Sequence, residues 1–358
     1  MKLSSLFKAI APTASEQKKD RVVGIDIGSS SIKVVELQSR EGVVTLTTYG
    51  ELQLGPYGEK EIGEIFALTP ELEKQALVDI LRESAIKATD GVFAIPLAVS
   101  FVTVVALEAE VDEDLDPRIR VEARKYIPVP LAEVVLDWAE IEKNEADVAR
   151  NILLAAIQNK PLQRFNMLLA GVGMANTPTE IECFSTIRGA GVASKDTAAV
   201  IDFGATSAKL YITRKGLLQR MYRIPVGSAE VTTQLATDQG KSFADAEIFK
   251  KTVTLNDEKF AATQKIHANH FNRALTEFSH VLKEYTEVSG FPFDAIVLTG
   301  SGALFPDFNK QVASALGQPV VISNPFDMVA YPAFMEDTLK EIGPTFTTAL
   351  GSALRSFI

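Results

Sequence analysis

Three short segments carry residue types suited to holding phosphate and a flat ligand. In Gly24-Ile-Asp-Ile-Gly-Ser-Ser-Ser31, Asp26 closes an apolar run, Gly28 bends the chain, and Ser29, Ser30 and Ser31 supply hydroxyls. Successive backbone N–H groups around such a turn form an anion-binding concavity, and the carboxylate beside them suits a cation. The second segment, Val200-Ile-Asp-Phe-Gly-Ala-Thr-Ser207, repeats that chemistry with Asp202, Gly204, Ala205, Thr206 and Ser207. One such hairpin is a weak sign, since ordinary Gly-Ser turns are common. Two in one chain predict a nucleotide held between two related domains. In the third segment, Leu298-Thr-Gly-Ser-Gly-Ala-Leu-Phe-Pro306, an apolar run enters a Gly-rich turn that is predicted to open a helix. Gly300 and Gly302 let a flat ligand approach the backbone, and the helix N-terminus would add its positive dipole end.

Composition narrows the function classes. The 358 residues suffice for about two domains. An apolar share of 46% with 23% charged residues describes a folded globular chain. A net charge of −10, without a Lys/Arg cluster, argues against nucleic acid as a partner. A single cysteine, Cys183, rules out an internal disulfide, fits a reducing compartment, and reads as a small core residue. No signal peptide is evident. The uncharged stretch Gly91 to Leu107 is shorter than the roughly 20 residues of a spanning helix. It is Val-rich and contains Pro96, so it reads as buried strands with a turn. A soluble, cytoplasmic protein without a transmembrane segment is expected.

The elements that would position these residues follow from periodicity. Val22–Ile27 and Ile32–Gln38 flank the first turn, and Val43–Tyr49 alternates like a half-buried strand. Thr69 and Pro70 make a natural helix start, with helical spacing running to about Ala88. Between Gly91 and Leu169 the order is strand, strand, helix (Pro117 to Tyr126), strand, strand, helix (Leu162 to Ala170), which suits an inserted subdomain. From Ala198 the chain repeats its beginning: strands Ala198–Phe203, Ala208–Thr213 and Leu217–Ile224. Ser228 to Gly290 is mostly helical. Ala295–Leu298 is a strand, Phe305 to Leu316 a helix, Val320–Ile322 a strand, and Pro344 to Leu354 a final helix. The expected division is a leader at 1–20, with a short amphipathic piece at Leu3 to Ile10. A first domain spans 21–90 and 171–195, and 345–358 returns to it. The insert is 91–170. The second domain is 196–344, with a helical subdomain at about 228–290.

Two phosphate turns followed by a Gly-rich adenosine turn resemble the actin-like ATPase superfamily. Within it, Gly24-Ile-Asp-Ile-Gly-Ser-Ser-Ser-Ile-Lys-Val-Val-Glu-Leu37 is similar to the start of the PilM family, cytoplasmic components of the type IV pilus machine. Ala349-Leu-Gly-Ser-Ala-Leu-Arg355 resembles that family's close. The resemblance runs from Arg21 to Arg355 and implies an α/β, actin-like ATPase fold: two duplicated domains around a nucleotide cleft, with an FtsA-like inserted subdomain.

The resemblance also implies roles. ATP and Mg²⁺ are the expected ligands, with Asp26 and Asp202 flanking the magnesium ion through water. Ser29 to Ser31 would hold one part of the triphosphate, and Gly204, Ala205, Thr206 and Ser207 another. Gly300, Ser301 and Gly302 would line base and ribose. Glu247 and Lys250 either face the ligand or belong to a solvated helix face. Glu182 either orients an attacking water or is a capping or surface glutamate. Lys33 is expected to point away from the phosphates, His267 and His270 to be solvated, and Trp138 to belong to the subdomain core. The implied partners are the N-terminal tail of a PilN-like inner-membrane protein, held between the first domain and the insert, and other pilus assembly components. Membrane association at the inner-membrane face would come through partners, and turnover would be that of a slow ATPase at most. Two alternatives stand beside this reading. An FtsA-like filament protein would be expected to carry a C-terminal amphipathic helix beyond Ser356-Phe-Ile358. A small-molecule kinase would need a carboxylate base in a polar pocket, for which no sugar-binding constellation is found.

Overall fold

The computed structural model describes residues 20–108, 114–141 and 149–357. The amphipathic piece at 3–10 therefore lies outside the described residues.

Two five-stranded sheets share one topology. The first contains β1 (Arg21–Ile27), β2 (Ser31–Arg40), β3 (Val43–Gln53), β4 (Gly91–Ile95) and β8 (Thr179–Ile181), in the order β3-β2-β1-β4-β8. The second contains β9 (Thr197–Phe203), β10 (Ala208–Arg214), β11 (Leu217–Ile224), β12 (Ala295–Thr299) and β13 (Val321–Ile322), in the order β11-β10-β9-β12-β13. In each, an antiparallel three-strand meander is extended by two parallel strands. The interior strands β4 and β9 are buried along their whole length, as their near-continuous apolar sequences require of strands covered on both faces.

The insert is smaller than its sequence pattern predicts. β5 (Ser100–Leu107), β6 (Val134–Ile141) and β7 (Arg150–Gln158) form a separate sheet in the order β5-β7-β6, accompanied by α2 (Asp116–Ala123). β4, expected in the insert from residue 91, instead pairs with β1 in the first sheet. α3 (Asn159–Gly171) packs against β7 and so bridges the insert and the first half. It also packs against α1 (Pro70–Glu83), and its Phe165 ring lies 4.9 Å from that of Phe93 on β4. Trp138 is half-buried at the edge of the insert's core and donates its indole N–H to Asp116 at 3.0 Å.

Two helix boundaries differ from their expected positions for local reasons. α1 starts as predicted, with Thr69 accepting from the Leu72 amide at 3.4 Å. It ends at Glu83 rather than near Ala88, because the chain turns at Ala85 (φ 52°) and the Lys87 and Ala88 amides both donate to Glu36, at 2.6 Å each. The Gly-rich segment opens a 3-10 turn at Ser301–Leu304, not the predicted helix. Pro306 cannot continue a helical hydrogen-bond ladder, and α8 (Phe308–Leu316) begins only after Asp307 adopts φ 60°. Its N-terminal dipole is therefore not built on the Gly-rich turn.

α4 (Glu182–Gly189), α5 (Ser228–Gln239), α6 (Phe243–Thr252), α7 (Phe260–Ser289), α9 (Glu336–Ile342) and α10 (Thr347–Leu354) complete the chain. α10 lies across β1 and β2 and against α4, so the chain's last helix covers its first sheet. Cys183 is buried, as expected.

Candidate functional site

The two hairpins match at the level of register. Asp26 on β1 stands opposite Lys33 on β2, and Asp202 on β9 opposite Lys209 on β10. Each turn is closed by the same bond: the Gly28 amide to the Ser31 carbonyl at 2.9 Å, and the Gly204 amide to the Ser207 carbonyl at 3.0 Å. The hairpins face one another, with Ser29 Oγ and Thr206 Oγ1 3.3 Å apart. α5 starts against the second turn, its Ser228 and Ala229 amides donating to the Gly204 and Ala205 carbonyls.

Two charge clusters surround the turns. Lys209 Nζ lies 3.1 Å from both Asp202 Oδ2 and Glu182 Oε1. Burial alone would lower its pKa, but the two carboxylates outweigh that and push it up, so the ammonium stays charged. Glu182 Oε1 also accepts the Leu97 amide at 2.8 Å. In the second cluster Lys33 Nζ donates to Ser31 Oγ at 2.7 Å and sits 3.5 Å from Glu51. Lys33 therefore lines the cleft, contrary to expectation, because its strand register sets it directly opposite Asp26. Burial raises the Asp26 carboxyl to about 6, with Lys33 opposing and Glu182 reinforcing the shift.

The predicted site residues gather around two connected cavities. One of about 490 Å³ is lined by Asp26, all of Gly28 to Ser31, Glu182, Asp202, all of Gly204 to Ser207, Gly300 and Ser301. Another of about 640 Å³ is lined by Glu247, Lys250 and Gly302 and shares Ser30, Ser31, Ala205 and Ser301 with the first. Both volumes are in the range of small-molecule sites. Gly300 can only be glycine. Its φ is +83°, and a Cβ there would stand 2.4 Å from Asp202 Oδ1.

Glu247 and Lys250 belong to an internal network rather than a solvated helix face. Lys250 Nζ sits 2.7 Å from Glu247 Oε2 and donates to Thr232 Oγ1 at 2.6 Å and the Ser228 carbonyl at 2.9 Å. Burial opposes ionisation of Glu247, but Lys250 beside it holds its carboxyl below the usual range. His267 is a correction. It is buried, stacked 4.2 Å from Phe305 and edge-on to Phe308 at 4.5 Å, because its position on α7 faces the aromatic core. Its Nδ1 has no hydrogen-bond partner, and burial lowers its pKa to about 3. His270 is only partly exposed and meets the Gly227 carbonyl at 2.9 Å.

A family model described as type IV pilus assembly protein PilM matches residues 24–357. The chain belongs to the PilM family. A solved PilM-PilN type IV pilus biogenesis complex contains a chain similar to this one at 22% identity and a TM-score of 0.79, covering 96% of this chain and 100% of that one. The ethanolamine utilization protein EutJ of Carboxydothermus hydrogenoformans is similar at 14% identity and TM-score 0.54, covering 98% and 96%. MreB5 of Spiroplasma citri bound to AMPPNP is similar at 13% and 0.53, covering 94% and 95%. These likenesses establish the α/β actin-like ATPase fold.

A third cavity of this PilM-family chain, about 230 Å³, lies between the insert and β11. Leu97, Phe101, Tyr126, Ile127 and Met221 line it, and Arg223 lines both this groove and the first cavity. No motif singles out Lys209, Arg223 or Leu97. Lys209 had a readable signal, since it follows Asp202 at the spacing at which Lys33 follows Asp26. Among the described residues no helix is long and apolar enough to cross a membrane.

Proposed function

We propose that this PilM-family protein is an assembly component of type IV pili that binds Mg-ATP between its two halves and docks the N-terminal cytoplasmic tail of a PilN-like inner-membrane protein. The observation that carries the nucleotide reading is the pair of register-matched Asp–Lys hairpins meeting at Ser29 and Thr206. The hydroxyls and turn amides donate to phosphate oxygens, while Lys33 and Lys209 offset their charge. Base and ribose enter the second cavity, between the Gly-rich turn and the Glu247–Lys250 pair.

The donor set fits magnesium. Mg²⁺ takes one or two carboxylates and retains waters, and Asp26 and Asp202 both line the first cavity. Among the described residues no group of three or more His, Cys, Asp or Glu residues forms a tighter cation cage. When bound, the ion would supply charge neutralisation at the phosphate oxygens. Asp26 and Asp202 would hold it through water.

Glu182 supports a nucleotide clamp rather than a fast ATPase. Its Oε1 is already engaged by Lys209 and the Leu97 amide, and orienting a nucleophilic water is what such catalysis requires. We infer slow turnover at most.

We assign the tail to the groove between the insert and β11, on the second half rather than the first domain that the resemblance implies, because the apolar cavity beside the insert opens there. Its apolar lining suits an extended peptide, and Leu97 ties it to Glu182. Position at the cytoplasmic face of the inner membrane follows from that partner. The test has two arms. ATP is expected to raise the melting temperature only with Mg²⁺, and N-terminal PilN peptides are expected to capture the protein. An ATP shift that ignores Mg²⁺ would count against the cleft, and failure to capture against the groove.

A further inference from the structure

The segment between β3 and α1 crosses from one half of the molecule to the other. On its own side the Leu54 amide donates to the Ser30 carbonyl at 2.9 Å, beside the first phosphate turn. Tyr57 anchors it to α1 through a 2.8 Å hydrogen bond to Asp79. Its tip then reaches α6 of the other half. The Ala244 amide donates to Glu61 Oε2 at 2.6 Å, across 183 residues of sequence.

That contact completes a helix cap. Ser242 already caps α6 from within, accepting the Asp245 amide at 3.0 Å. The Ala244 amide is another of the first-turn donors that a helix cannot satisfy internally, and here a carboxylate from the opposite half takes it. A negative charge at a helix N-terminus is also favoured by the dipole. Two residues beyond, Gly63 is buried against the helix. Its φ is +86°, and a Cβ would stand 2.9 Å from Glu247 Cγ. Glu247 and Lys250, the charged pair of the second cavity, lie on the helix so held. Farther on, Ile65, Phe66 and Leu68 line the first cavity.

We infer that residues 54–68 form a strap that closes the nucleotide site, and that Glu61 is a positioning residue whose bond to α6 holds Glu247 and Lys250 toward the bound nucleoside. The inference rests on the nucleotide reading given above. The strap's two anchors lie on different halves, so the base side of the site is complete only when the halves are closed. Opening the two halves breaks the Glu61–Ala244 bond and the Gly63–Glu247 contact, so both oppose the opening that releases the nucleotide. Latch strength therefore governs release more than encounter.

The test is stopped-flow binding of a fluorescent N-methylanthraniloyl ATP with Mg²⁺ to the full chain. Glu61→Ala is expected to speed release roughly five-fold, the loss of a charge-assisted bond at an exposed position. Glu61→Gln, whose amide oxygen still accepts, is expected to stay within about two-fold of wild type. Amide hydrogen exchange at Ala244 should rise in Glu61→Ala alone, a local readout that a general loss of stability would not give. Release unchanged in Glu61→Ala, with wild type binding the probe, overturns the strap while sparing the nucleotide site. Wild type that does not bind the probe overturns the nucleotide reading, and the strap with it. Gly63→Ala serves as the second variant, and unchanged release there also counts against the strap.

Discussion

Ser29 Oγ lies 3.3 Å from Thr206 Oγ1, joining two turns that are 177 residues apart in sequence. The cleft is thus made by bringing together hydroxyls from two copies of one hairpin at offset positions, since Ser29 corresponds to Ala205 and Thr206 to Ser30. Removing either hydroxyl is expected to weaken Mg-ATP binding by about 1 kcal/mol, a typical net hydrogen-bond contribution. Because both face one phosphate region, Ser29→Ala and Thr206→Ala should be non-additive in a double-mutant cycle read by calorimetry. Strict additivity would mean that the turns bind independently.

Asp202→Ala leaves the Lys209 ammonium with Glu182 alone. Stripping one partner from a buried ion pair is strongly destabilising, and the remaining carboxylate limits the loss to about 2 kcal/mol. The variant is expected to unfold at lower urea and to show no Mg-dependent ATP shift. A wild-type response to ATP in this variant would remove the cleft assignment.

Asp26 titrates near 6, well above its unfolded value of 3.8. The folded state therefore binds this proton more tightly, and its contribution to stability is lost as pH rises toward 6. Asp26→Asn is expected to stabilise the nucleotide-free protein at neutral pH by about 2 kcal/mol. In wild type a proton and Mg²⁺ compete for the carboxylate, so the Mg-dependent ATP shift should fade below about pH 6. Melting curves across pH, with and without Mg-ATP, check both.

His267 has the opposite sign. Its folded pKa of about 3 lies below the unfolded 6.5, so the unfolded chain takes up a proton that the core excludes. Stability is lost as pH falls below about 6.5, by about 2 kcal/mol at pH 5. His267→Phe is expected to flatten that acid limb while keeping the stack on Phe305. An unchanged limb in thermal melts would place the acid sensitivity elsewhere.

Glu182→Ala removes the acceptor of the Leu97 amide while Lys209 keeps Asp202. Leu97 lines the groove, so PilN-peptide affinity is expected to fall roughly five-fold, about 1 kcal/mol. Fluorescence anisotropy with and without Mg-ATP reads the effect. Unchanged peptide affinity would detach Glu182 from the groove.

The two hairpins were legible because each is contiguous: carboxylate, glycine and hydroxyls within six residues. What escaped depended on where strands and helices land. Gly91–Ile95 reads as a buried strand in any sheet, and only its pairing with Val23–Asp26 places it in the first. His267 looks like a solvated helical residue until Phe305 and Phe308, from beyond the next strand, close over it. Glu61 is one acidic residue in a charged loop until α6 lies opposite. Lys33 needed the strand register, since counting from the turn alone does not tell which way it points.

The placement of α10 bears on how the chain is made. Val35 and Leu37 on β2 are buried against Phe346, Leu350 and Leu354, with Phe326 and Leu339 in the same cluster. During synthesis the first sheet therefore emerges long before the residues that cover it. An apolar face stays open while roughly 300 residues follow, and contacts of such sequence separation close slowly. A chain stalled before Thr347 would present β1 and β2 uncovered, making it a substrate for chaperones or for aggregation.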